Sequence, residues 1–491
     1  MLVWSQTSVS LAWLLLLAPL LGRAEPGWER VLVALGYSLG CLTALLTPLA
    51  TVLRHEVLTV AAATLIWTLL TAAPWLLARG RSAAMHFVGG LCALALTALP
   101  PLGAVDPLTP AVGATAWAEG LGAWGLAAYA SLFSLLIVLT ARPRSRPLWL
   151  CAASLALLLL LGATRHASLP SPRAVGLSGH WGAEPRSLAA QKRRIDLLSH
   201  LLERTRRTHP TARLYVLPEF FLGRFDRGVA RWLKPLARNL ARHHSEAIAG
   251  AAVGLRDSSG GTRWTDGVVA FGESRALIVT RQPAPLAEWR PGQPGSFPSY
   301  WWPWSHPPVG THLGGFVESH EHGGPRRIAV AICYAGTLAW TWLWSIRHGT
   351  PSLVAAPESF LWTRARGPRR LETRLVDAWG RLYAIPVVFA RALPTSARGG
   401  RTRVSSTRAR GQKPVPAPRP TVRAGHPPIG LHGDVDQVAR AAIVAGHHAG
   451  QALIHVAEKL PNALDRRRSD AQRPAAALMQ PVGTEKRLEM G

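Results

Sequence analysis

The pattern of apolar and polar positions changes character near Gly162. Before it, Leu and Ala dominate, and six apolar runs follow one another at 11–21, 31–53, 57–77, 83–105, 116–139 and 147–161. A helix needs about 20 residues to cross the hydrocarbon of a bilayer, and most of these runs reach that length. The pattern therefore predicts roughly six membrane helices. The first run is short enough for a signal sequence. However, residues 1–10 carry no positive side chain and a second apolar segment follows closely, which favours an integral helix.

After Gly162 the periods shorten. Mostly apolar stretches at 174–179, 212–217, 247–255, 267–271, 276–279, 328–332, 352–356 and 385–390 read as strands. Between them, 186–208 has Leu188, Ile195, Leu198 and Leu202 at helical spacing, and 338–347 and 372–383 read as helices. The Gly260, Gly261 pair marks a turn, so the strands on either side of it pair antiparallel. Strands alternating with helices and mixed with hairpins predict a layered α/β sandwich.

The last 100 residues are of a third kind. Phe389 is the final aromatic residue, and 401–428 is rich in Arg, Pro and Thr. Such a segment cannot bury enough apolar surface to offset its ordering entropy and is expected to be disordered. A weak helix is expected across 438–460. The abrupt loss of aromatics at a domain edge also fits a change of reading frame in the gene. The expected organisation is a transmembrane domain at 1–163, an α/β domain at 164–395 and a mostly disordered basic tail at 396–491.

Charge adds orientation. The linkers after the first, third and fifth runs hold Arg23 and Arg30, Arg79 and Arg81, and Arg142, Arg144 and Arg146, whereas the second offers only Arg54 and the fourth no basic residue. Basic linkers stay cytoplasmic, so the α/β domain is expected on the outer face, in a bacterium the periplasm. The net charge of +28 is spread over linkers, domain and tail, and the tail from Arg391 onward has 17 Lys/Arg against 7 Asp/Glu. No basic element forms a recognisable nucleic-acid motif, so no specific nucleic-acid site is expected.

Cysteine usage narrows the chemistry. Cys41, Cys92 and Cys151 fall in apolar runs, which leaves Cys333 as the one thiol of the remaining chain and excludes a disulfide within it. Cys333 stands where a strand ends abruptly in Cys333, Tyr334, Ala335 and Gly336. Loops at strand ends are common seats of chemistry, so the residue reads as a nucleophile or as a small core residue. The same arrangement recurs at Pro218, Glu219 and Phe220, and a third polar site follows the strand at 276–279, at Thr280 and Arg281. A carboxylate base, a cation for a developing oxyanion and a thiol nucleophile are the groups that cleavage or transfer of an acyl group needs.

The order Glu, basic residue, Cys, with PEFF at 218–221, ICY at 332–334 and PESFLW at 357–362, resembles the nitrilase (carbon–nitrogen hydrolase) superfamily. Membrane helices ahead of such a domain resemble apolipoprotein N-acyltransferase. The Trp-rich, Lys-poor domain is similar to relatives of that enzyme from plasmid conjugal transfer. The resemblance covers about residues 30–395. It implies an αββα sandwich, Glu219 as general base, Cys333 as nucleophile, no cofactor, and membrane lipid with lipoprotein or conjugation-apparatus proteins as partners. Residues Ala284, Pro285, Leu286, Ala287, Glu288, Trp289, Arg290 and Pro291 resemble the acyltransferases' Val-Pro-Phe-Gly-Glu-Tyr-Val-Pro, which makes Glu288 the auxiliary glutamate.

Two positions depart from the pattern. The family's catalytic lysine falls on Thr280, with Arg281 beside it. An arginine stabilises an oxyanion electrostatically but does not exchange its proton near neutral pH. Ala335 stands where the acyltransferases carry a second glutamate after Cys-Tyr. Three functions stay open: a nitrilase-like protein of conjugal transfer, a working N-acyltransferase, and an inactive scaffold. Trp289, Trp301, Trp302 and Trp304 read as a flap dipping into the membrane interface or as a packed loop. His320 with His322, and the His447, His448 pair, lack further ligands at zinc-like spacing and read as solvated loops.

Overall fold

A computed structural model describes residues 11, 13–24, 27–52, 57–78, 82–142, 146–163, 173–256, 262–280, 282, 284, 312–313, 316–321, 324–347, 349–363, 366–394 and 405–407. All of them belong to one compact unit, Met1–Pro416. Arg281, Glu288, the four Trp residues at 289–304 and the segment 438–460 lie outside the described residues.

Each of the six apolar runs coincides with helix. The helices are α1 (Leu17–Arg23, after a 3-10 turn at Trp13–Leu16), α2 (Gly27–Val52), α3 (Val57–Ala72), α4 (Ala83–Ala98), α5 (Gly122–Ala141) and α6 (Arg146–Ala163). Among the described residues three helical stretches, Leu58–Ala78, Ala83–Ala104 and Gly122–Ala141, are long and apolar enough to cross a membrane, against the six expected. Leu14–Arg23 and Arg146–Leu159 are shorter apolar helices. Arg30 is buried between these segments. Its Nε donates to the Ala24 carbonyl and its Nη1 to the Ala78 carbonyl, both at 2.9 Å. A buried guanidinium is costly without such partners, so Arg30 ties the end of α1 to the end of the stretch that follows α3.

Beyond the bundle, twelve strands form two sheets among the described residues. In the first, β12 (Ser405–Thr407), β1 (Ala174–Ser178), β2 (Leu214–Val216), β4 (Glu246–Arg256), β5 (Thr262–Gly272), β6 (Ala276–Val279) and β7 (His312–Leu313) lie in that order, and β3 (Arg224–Phe225) pairs with β4. The expected antiparallel pairing of β4 and β5 is present, from Glu246 opposite Gly272 to Arg256 opposite Thr262. The second sheet is ordered β11 (Val387–Ala392), β10 (Leu353–Ser359), β9 (Gly324–Val330), β8 (Phe316–Glu321).

The sheets stack face to face, because alternate strand residues point to opposite faces. Val216, Ile248, Val268 and Ile278 of the first meet Ile328, Val330, Ala355 and Val388 of the second in one apolar layer. The sheets approach closely at Gly176, where a Cβ would stand 1.8 Å from the Phe389 carbonyl oxygen, so only glycine fits there. The outer face of the first sheet is covered by α7 (Leu188–Thr208) and α8 (Arg227–Arg242), through Ile195, Leu198, Leu202, Val229, Leu233 and Leu240. The outer face of the second is covered by α9 (Ala339–Ile346) and α10 (Arg366–Leu382). The layers are therefore αββα, the architecture that the resemblance implied.

On that second side, Leu375, Val376, Trp379 and Leu382 of α10 belong to the same apolar core as Trp75, Tyr129 and Phe133 of the bundle. Bundle and sandwich thus share a hydrophobic core.

Helix α8 and strands β3, β7, β8 and β12 were not foreseen, and β8 carries His320, expected in a loop. Helix α8 contains Gly228 and Pro235, both of which depress helix propensity, yet its apolar stripe is wide enough to hold it on the sheet. Strand β12 lies in the tail expected to be without structure. It pairs antiparallel with β1, Gly176 opposite Thr407, because an edge strand offers backbone partners to any sequence.

Candidate active site

Glu219 and Cys333 each stand three residues past a strand end, β2 and β9, where the backbone takes a left-handed conformation at Phe220 and at Cys333 itself. After β2 the chain turns through Pro218 and Glu219 to Phe220, whose φ is 53°. The Gly250 N–H donates to the Pro218 carbonyl at 3.1 Å, and a Cβ on Gly250 would meet the Glu219 Cα at 2.4 Å. Only glycine on β4 lets this loop pass. Glu219 is buried there, 5% exposed.

Cys333 itself has φ 40°, a strained left-handed conformation for a residue with a Cβ. It opens a 3-10 turn, Cys333–Thr337, at the end of β9. The thiol is half-buried, against the core between the sheets. The turn's carbonyls are tied back on several sides. Thr341 Oγ1 donates to the Ala335 carbonyl at 2.5 Å, Trp342 Nε1 to Gly336 at 2.7 Å and Trp379 Nε1 to Thr337 at 3.2 Å. Tyr334 Oη donates to the Ala104 carbonyl at 3.1 Å, in the loop between α4 and α5. The turn that carries the thiol is therefore anchored on both the sandwich and the helical bundle.

Thr280 directly follows β6. It is buried, with Oγ1 donating to the Gln282 carbonyl at 3.3 Å. A pocket joins it to the thiol-bearing turn: Thr280, Val330, Ile332, Ala335, Trp342 and Trp344 are among its walls. Those walls are mainly hydrocarbon and indole, so the pocket suits an apolar group better than a charged one.

The sequence reading missed two carboxyls. Glu358, at the end of β10, accepts from Arg391 Nε at 2.7 Å, across the β10–β11 register that places the two residues opposite each other. Glu372 lies on α10, and a hydrogen bond joins it to Cys333. Burial raises the pKa of both. The Glu358 carboxyl is pushed up to about 7, with Arg391 and the Thr373 hydroxyl opposing the shift. Glu372 is raised by burial and then by the charge of Glu358, against the Cys333 hydrogen bond and Arg391. The PESFLW motif carried a visible signal for Glu358. Glu372 had none, since a Glu on a helical surface is ordinarily solvated.

Among the described residues no group of three or more His, Cys, Asp or Glu could hold a metal ion. No family model matches the chain. Among curated proteins, it is 31% identical over 184 residues to conjugal transfer protein TraB of Agrobacterium fabrum (strain C58 / ATCC 33970). This chain is similar to TraB. That alignment covers 36% of the chain and 38% of the relative, so the match spans well under half of that TraB. The probable conjugal transfer protein TraB of Sinorhizobium fredii (strain NBRC 101917 / NGR234) is 26% identical over 304 residues, 61% of the chain and 71% of that TraB. Among solved structures, a carbon-nitrogen hydrolase from Helicobacter pylori G27 matches 46% of the chain and 75% of its own at 13% identity, with a TM-score of 0.29.

Proposed function

We propose that this chain is a membrane-embedded protein of plasmid conjugal transfer that acts on an acyl or amide group through a thioester on Cys333. The observation that carries the reading is the turn Cys333–Thr337. A strained thiol stands at a strand end, hydrogen-bonded to a carboxyl and flanked by an apolar pocket. A nucleophilic thiol needs a nearby base and a place for the group it attacks, and both are at hand. The anchoring of Tyr334 on the bundle loop at Ala104 supports a lipid-linked substrate that reaches Cys333 from the bilayer edge.

In this reading Cys333 attacks the acyl carbon, and Glu219 acts as general base toward the nucleophile that later discharges the thioester. Arg281 and Glu288 take the oxyanion and auxiliary roles implied by the resemblance. Membrane lipid is the donor, and a lipoprotein or conjugation-apparatus protein the acceptor. The protein resides in the bacterial inner membrane with its sandwich in the periplasm. Arg30 supports this topology. It ties the ends of the first and third apolar segments together, while Tyr334 meets the linker after the fourth. The ends of the first and third segments so lie together, and in the sequence the basic linkers are those that follow the odd segments.

The test is mass spectrometry of the full chain in lipid nanodiscs for an acyl adduct on Cys333. The expected result is an adduct in the parent and none in Cys333→Ala, with loss of mating frequency in the variant. No adduct and an unchanged mating frequency would sink the thiol mechanism. Thr280 at the family's lysine position favours a second reading, an inactive scaffold, which predicts that outcome. If the chain is a working apolipoprotein N-acyltransferase, it also complements a strain lacking that enzyme.

A further inference from the structure

The face of the second sheet toward α9 and α10 buries two carboxyls, one of them the neighbour of Cys333, to which the scheme above gives no step. Along β10, Val354 and Ala356 point into the core shared with the bundle, and Glu358 continues that alternation. It is fully buried, with Oε2 paired to Arg391 and Oε1 without a hydrogen-bond partner among the described residues. Glu372 is nine-tenths buried. Its Oε1 likewise has no hydrogen-bond partner among the described residues, while a hydrogen bond links the side chain to Cys333.

One guanidinium cannot neutralise two buried carboxylates, and an ion left unpaired out of water costs several kcal/mol. Arg391 lies within hydrogen-bonding distance of Glu358 and acts on Glu372 only at longer range. Glu358 therefore holds the cation, and its charge repels a second one on Glu372. The consequence is a carboxyl that binds a proton readily, in hydrogen-bond contact with the group that must lose one.

We propose that Glu372 is a further catalytic residue, the acceptor of the Cys333 thiol proton, held poised for it by the Glu358–Arg391 pair. The proposal rests on Cys333 acting as the nucleophile. As sulfur attacks the carbonyl carbon of an ester or amide, the S–H bond breaks and its proton passes to the Glu372 carboxylate. The new S–C bond forms, and the carbonyl π pair moves onto oxygen. When that pair returns, the bond to the leaving oxygen or nitrogen breaks, and the proton from Glu372 goes to the leaving group. Glu372 ends as a carboxylate beside a thioester. A general base must take up a proton in the step it assists, and burial together with the charge of Glu358 raises the proton affinity of Glu372.

The experiment follows alkylation of Cys333 by iodoacetamide against pH in the full chain, purified in detergent and read peptide by peptide so that the other three thiols do not interfere. Glu372→Gln is expected to slow alkylation at neutral pH at least about tenfold, at the low end of general-base effects, and to move the rising limb to higher pH. Glu372→Asp restores part of the rate. Glu358→Gln removes the repelling charge and moves the limb to lower pH, which keeps the test alive if Glu372→Gln does not fold. An unchanged rate and limb in Glu372→Gln, or an unmoved limb in Glu358→Gln, overturns the proposal. Alkylation needs no acyl donor. A protein that behaves as expected here but never forms an acyl adduct refutes the acyl-transfer reading and not this pair.

Discussion

The sandwich is flanked by two helical layers that solve the same packing problem in opposite surroundings. Helices α7 and α8 bury one stripe and turn Arg193, Arg204, Arg207, Arg227, Arg231, Lys234 and Arg238 outward. These charges are exposed, and only Arg194 of α7 among the described arginines of the two helices turns back to donate to the Trp181 and Ala183 carbonyls, both at 2.7 Å. Helix α10 is covered on one side by the second sheet and on another by the bundle, so its polar groups must find partners inside. Arg381 approaches Glu119 of the bundle linker at 4.0 Å and Asp377 at 3.6 Å. Burial lowers the pKa of Arg374 to about 10. Glu372 meets the thiol. The difference teaches that chemistry here collects where a helix has lost its water.

The largest expected effect lies in the inner layer. Trp379 is fully buried and donates to the Thr337 carbonyl. Trp379→Ala is expected to cost about 3–5 kcal/mol and to free the turn that holds Cys333. Thermal unfolding and Cys333 alkylation should change together, and a stable variant with ordinary alkylation would break the link between layer and site. Next, Leu233→Ala on α8 is expected to cost about 2 kcal/mol, because a helix facing water can shift to close part of the cavity. Stability falls without a change in the alkylation pH profile.

A smaller effect concerns pH. The Glu358 carboxyl has a higher pKa in the folded state than its ordinary 4.5, so the folded state binds the extra proton. Its contribution to stability is full below about pH 4.5 and is lost as pH rises toward about 7. Glu358→Gln should flatten that part of the pH–stability curve, and an unaltered slope counts against the buried carboxyl as its source. The smallest effect is on the outer layer. Lys192 and Asp196 form an exposed i,i+4 pair on α7, and Lys192→Ala should change stability by less than about 0.5 kcal/mol. A larger loss would mean that the outer layer is not simply solvated.

How far the sequence could be read follows the same division. The helix at 186–208 was visible because one face meets water and the other does not, which writes a period into the residues, whereas the strands at 247–255 and 267–271, covered on both faces, were visible as short apolar runs. Cys333 and Glu219 were visible because an apolar run stops sharply before each. Helix α8 was hidden by Pro235 and Gly228, whose propensities oppose a helix that packing nevertheless holds. Each of the six apolar runs contains helix, while three helical stretches are long and apolar enough to span among the described residues.

By itself, the sequence determined the local choices: apolar runs that become helix, and apolar strands that stop shortly before a carboxylate and before a thiol. These depend on neighbours within a few residues, where period, propensity and chain breaks act directly. Only the tertiary structure decided which groups meet. The register of β10 on β11 set Glu358 opposite Arg391, and the packing of α10 between sheet and bundle brought Glu372 to Cys333. Such meetings join residues far apart in the chain through a shared core, and no local pattern encodes them, because the energy that selects them is the burial of the whole layer.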